Sequence, residues 1–66
     1  MTQIKLGKKL KAARLSKDMS RAKLSALCNV SQPTIEAIET GKGNPTLKVL
    51  ERVAGALDKE LVINII

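Results

Sequence analysis

The sequence predicts an all-α fold, four short helices around one small core, followed by a short C-terminal β-strand. Three observations predict it. Apolar residues recur at helical spacing in four separate stretches. Three of those stretches open on a residue suited to capping a helix, Ser20, Ser31 and Thr46. The run Glu60-Leu-Val-Ile-Asn-Ile-Ile66 is short and β-branched, which reads as a strand. With 66 residues the chain holds one domain and a modest core.

The first helix is expected from Gln3 to Ser16. Leu6, Leu10 and Ala13 fall at i, i+4, i+7 and form its core stripe, with Ile4 added at the start. Lys5, Lys8, Lys9, Lys11 and Arg14 occupy its other faces. Ser16-Lys-Asp-Met19 connects it to the next helix, with Met19 over the core edge.

The second helix runs from the Ser20 cap to about Cys28, and Leu24, Leu27 and Cys28 share one face. Asn29 is the hinge, because Asn tolerates the left-handed conformation that ends a helix and turns the chain. Val30 plugs the corner. The third helix runs from about Gln32 to Thr40, with Ile35 and Ile38 facing inward. Pro33 costs little in its first turn, where the N–H groups have no helical partner. Two helices, a tight turn and an apolar corner have the form of a helix-turn-helix. The same form also builds helical cores with no nucleic-acid role.

Gly41 is placed to end the third helix in a left-handed cap. Gly41-Lys-Gly-Asn-Pro45 lacks the GxxxxGK[ST] spacing of a phosphate loop, so it reads as a turn. The fourth helix extends from Thr46 to about Leu57. Leu47, Leu50, Ala54 and Leu57 make its core stripe, and Val49 with Val53 makes a second one, displaced around the helix.

Charge narrows the function. There are 12 Lys+Arg against 6 Asp+Glu, a net charge of +6. Residues 1–35 carry +7 and residues 36–66 carry −1. A basic half beside a near-neutral half implies a polyanion bound on one side. A membrane surface is disfavoured, because the apolar stripe of the basic first helix is narrow and has no aromatic anchor. No apolar run approaches the length of a membrane span or a signal peptide, so the expected location is cytoplasmic. With no Phe, Tyr or Trp to stack bases, duplex DNA fits better than single strands. Cys28 is the lone cysteine and there is no His, which removes an intramolecular disulfide, a zinc site of the usual spacing and nucleophile–base dyads. The expectation is no enzyme, no metal and no cofactor.

At this point the sequence resembles the Cro-type, lambda-repressor-like (XRE) helix-turn-helix regulators. The matching pieces are Gly7-x-x-Leu10-x-x-x-Arg14, Met19-Ser-x-x-x-Leu24, Asn29-Val-Ser-x-x-Thr-Ile35-x-x-Ile-Glu39-x-Gly-Lys42, Asn44-Pro-Thr-Leu47 and Ala56-Leu57, over roughly residues 5–57. The resemblance implies that the third helix docks in the major groove. It assigns Gln32, Pro33 and Ala37 to base contacts. Gln32 can pair bidentately with adenine, whereas Pro33 and Ala37 offer only apolar contact, which shifts weight to phosphates and DNA shape. It assigns Arg21, Ser31, Thr34, Lys42 and Asn44 to phosphates. It makes Arg14 and Glu39 a pair tethering the first helix to the end of the third.

The expected protein is a duplex-DNA-binding repressor acting as a homodimer on a palindromic operator. Residues 1–58 are the DNA-binding domain and 59–66 a dimerisation strand. Leu61, Ile63 and Ile65 point to one side of that strand; Val62, Asn64 and Ile66 point to the other. Pairing with the same strand of a second copy, over Val49 and Val53, would bury both sides. Two alternatives accompany this reading. One is an antitoxin that binds DNA and a toxin protein. The other is a protein-interaction adaptor on the same fold, which Pro33 and Ala37 favour.

Overall fold

A computed structural model describes the backbone of residues 2–58 and the side chains of residues 5–58. Four helices follow one another: α1 (Thr2–Ser16), α2 (Arg21–Cys28), α3 (Gln32–Glu39) and α4 (Leu47–Ala56). The expected strand at 59–66, with Leu61, Val62, Ile63, Ile65 and Ile66, lies outside the described residues. α1 packs on α3, and α2 packs on both α3 and α4.

The helix boundaries follow from local chemistry. Ser20, Ser31 and Thr46 each sit in extended backbone and accept a hydrogen bond from the backbone N–H three residues on. Asn29 ends α2 at φ 57, in the left-handed region. α3 closes in a Schellman turn. Gly41 at φ 74 donates to the Ile38 carbonyl at 3.1 Å, and Lys42 donates to Ala37 at 2.8 Å. α1 closes the same way without a glycine. Asp18 at φ 52 donates to Leu15, and Met19 donates to Arg14.

The core comprises Leu10, Ala13, Leu24, Cys28, Val30, Ile35, Ile38, Val53, Ala54 and Leu57, with Leu6, Met19, Val49 and Leu50 packed at its edge. Three expectations need correction. Leu27 is 52% exposed. The buried side of α2 centres on Leu24 and Cys28, and Leu27 lies about 100° round the helix from Cys28. Leu47 is 49% exposed, at the first position of α4, before the helix crosses the core. Val53, expected beneath a dimer strand, is only 1% exposed and belongs to the core of the chain itself. Leu50, Val53, Ala54 and Leu57 run i, i+3, i+4, i+7, one stripe where the sequence suggested two.

Candidate nucleic-acid interface

Gly7 sets the relation of α1 to α3. A Cβ at Gly7 would stand 2.1 Å from the Ile38 carbonyl oxygen, so the two backbones meet where only glycine fits. One turn further along α1, Leu10 enters the core, and a turn beyond that Arg14 reaches the end of α3. Arg14 Nε donates to Glu39 Oε2 at 2.7 Å and its Nη2 donates to Oε1 at 3.2 Å. Its Nη1 donates to the Met19 carbonyl at 2.7 Å, which fixes the α1–α2 connection to the same cluster.

Arg21, the first residue of α2, also donates from Nε to Glu39 Oε1, at 3.0 Å. Sequence reasoning paired Arg14 with Glu39 and missed this second arginine. Burial pushes the Glu39 carboxyl up, but hydrogen bonds from Arg14 and Arg21, and then their charges, outweigh it and leave its pKa below the ordinary 4.5. Among the described residues no buried side-chain polar atom lacks a partner. The cluster locks α1, α2 and α3 together, which holds α3 at a fixed angle.

α3 turns Ile35, Ile38 and Glu39 inward and leaves Gln32, Pro33, Glu36 and Thr40 exposed, with Ala37 half-buried. An open depression of about 330 Å³ runs beside this face, and its lining includes Pro33, Thr34, Ala37, Lys42 and Asn44. The fold therefore gathers five of the residues that the sequence assigned to DNA around one concavity. Gln32 stands exposed at the start of α3, next to the Ser31 cap. The Ser31 and Thr34 hydroxyls are 2.7 Å apart, and Ser31 Oγ accepts from the Thr34 N–H. One hydroxyl proton of that pair remains for an outside acceptor. Thr40 contributes less, because its hydroxyl is turned back to the Glu36 carbonyl at 2.9 Å.

The electrostatics suit an anion. Neither α2 nor α3 carries an acid in its first turn, although Glu39 reaches the start of α2 through Arg21, so the positive N-terminus of α3 is the one with no carboxylate bonded to its first turn. Lys8, Lys9, Lys11, Lys23 and Lys42 are exposed, and Arg21 keeps a third of its side chain exposed. Glu36 is the acid on the exposed side of α3. Sequence reasoning passed over it, although its i+4 spacing from Gln32 puts both on one face. Val49 is half-buried on α4 and packs against the core edge. No described helix is long and apolar enough to cross a membrane. Among the described residues no group of His, Cys, Asp and Glu side chains is placed to hold a metal ion.

Comparison with known proteins agrees with this geometry. A family model described as helix-turn-helix matches residues 10–63. An immunity repressor protein of Bacillus phage phi105 is 36% identical over 52 residues, which are 79% of this chain and 36% of that protein. The chain thus spans about a third of the length of that relative. No solved structure matches. The chain belongs to the XRE-type helix-turn-helix family of DNA-binding transcriptional regulators.

Proposed function

We propose that the chain is a sequence-specific repressor that binds a palindromic duplex operator as a homodimer, with α3 in the major groove. The observation that carries this reading is the concavity that joins α3 to the loop after it, with Lys42 and Asn44 on its rim. Helix and loop flank one space, as a groove reader and its phosphate clamp must. Gln32 reads a base edge, and Pro33 and Ala37 make apolar contacts. Arg21, Ser31, Thr34, Lys42 and Asn44 hold phosphates. The repressor role draws support from the phage immunity repressor. Operator binding places the protein in the cytoplasm, with the DNA.

The test is affinity for duplex DNA across a salt series. Lys8, Lys9, Lys11, Arg21 and Lys42 are the phosphate neutralisers. With about five contacts, log K falls against log salt with a slope of roughly −4 to −5. A flat response would overturn the DNA reading and favour the adaptor, to which the apolar Pro33 and Ala37 are equally suited.

A further inference from the structure

We infer that Glu36 is a second reading residue of α3, selecting a cytosine about two base pairs from the base that Gln32 contacts. The inference rests on α3 lying in the major groove, as proposed above. Glu36 is exposed, and its carboxylate makes no hydrogen bond or ion pair with any described residue. It shares an open depression of about 240 Å³ with Pro33, Ala37, Thr40 and Lys42. Its neighbours on that face compete weakly for base edges. Pro33 and Ala37 have no polar side-chain atom, and the Thr40 hydroxyl donates into its own helix. Gln32 and Glu36 are therefore the two side chains of the exposed face with hydrogen-bonding groups turned to neither cap nor helix.

Chemistry then limits what Glu36 accepts. A carboxylate only accepts hydrogen bonds, and the major groove offers donors only at cytosine N4 and adenine N6. Adenine N6 is flanked on both sides by acceptors, its own N7 and the O4 of the paired thymine; cytosine N4 has an acceptor on one side only, the O6 of the paired guanine, and so repels the second carboxylate oxygen less. Guanine and thymine would leave a desolvated carboxylate unpaired, with phosphates nearby, and that is costly. Glu36 thus works largely by exclusion. Four residues of helix advance about 6 Å, close to two base-pair steps, which sets the offset from Gln32.

The test is affinity selection from a duplex pool with randomised positions, run on the full chain and on Glu36→Gln, Glu36→Ala and Gln32→Ala. Helical circular dichroism confirms folding, which an exposed side chain with no bonds should not disturb. The expected unmodified profile has a cytosine at a fixed distance from the Gln32 position, preferred roughly tenfold. Glu36→Gln moves that preference to adenine. Glu36→Ala abolishes it and tightens binding to the unselected pool several-fold, since a negative charge has left the face. Gln32→Ala alters a different position and leaves the cytosine in place. Salt-dependent binding with the same profile for all Glu36 variants would overturn this inference and leave the DNA reading standing. Failure of the unmodified chain to bind any duplex at low salt would overturn both.

Discussion

Glu39 keeps its charge with 2% of its side chain exposed because two guanidinium groups hold it. Desolvation alone would favour the neutral acid; Arg14 and Arg21 reverse that preference. The sign follows directly. A carboxyl whose folded pKa lies below its unfolded value contributes stability that is full above about 4.5 and is lost as pH falls through the folded pKa. A carboxyl-detected NMR titration should therefore place Glu39 below 4.5, and Arg21→Met should raise its midpoint by removing one of the two partners. An unchanged midpoint in that variant would mean that Arg21 adds nothing to the cluster. Removing Glu39 itself is harsher, because Glu39→Gln leaves two guanidinium groups partly buried without a counter-charge, at roughly 3–5 kcal/mol. Half of this cluster was legible in the sequence. The Arg14–Glu39 pairing came with the family pattern, whereas Arg21 was assigned to phosphate alone. A residue at a helix start can serve an internal carboxylate and an external anion together, and its type does not say which.

Among the elements, the two helical glycines make opposite predictions. Gly7 sits where α1 crosses the end of α3, and the atom that a Cβ would strike is backbone, the Ile38 carbonyl oxygen. The helices must separate to admit it, so Gly7→Ala should destabilise by roughly 1–3 kcal/mol or more. Gly55 in α4 has nothing within 4 Å of an added Cβ. Gly55→Ala should stabilise by about 0.4–1 kcal/mol, through the lower entropy of the unfolded chain and better helix propensity. Urea midpoints at constant m decide both, and a neutral Gly7→Ala would show that the α1–α3 approach is not tight in solution. The two glycines look alike in the sequence, because what separates them is a crossing between helices distant in the chain. Local chemistry was far more readable. Ser20, Ser31, Thr46, Asn29 and Gly41 marked helix ends, since capping depends on a few adjacent atoms. Burial of Leu27, Leu47 and Val53 was misread for the converse reason. Periodicity gives a stripe, but only the neighbouring helices decide how wide it is and where it begins.

At the scale of the whole molecule, one copy presents one α3, and a palindromic operator needs two, about 34 Å apart. The proposed dimer must therefore come from surface that the protomer leaves unused. Val53 is already consumed by the core, so the α4 contribution falls to Val49, half-buried, and to Ala56, seven residues on along the same flank. That flank is small. The larger apolar supply is the sequence Leu61-Val62-Ile63-Asn64-Ile65-Ile66, five large aliphatic side chains in six residues. Burying each fully is worth about 1.5–3 kcal/mol, enough to sustain association even after its entropic cost. An antiparallel pairing of two such segments across a two-fold axis would also satisfy their backbone groups. Deletion of residues 61–66 should convert a dimer to a monomer in sedimentation at micromolar concentration. The same deletion should weaken binding to a two-half-site duplex far more than to a single half-site, because linked half-sites gain from effective concentration. Val49→Asp should act in the same direction by charging the α4 flank, with helical circular dichroism to check folding, because Val49 also packs at the core edge. A truncated protein that remains dimeric with unchanged operator affinity would move the interface elsewhere, and exposed Leu27 and Leu47 would be the next surfaces to probe.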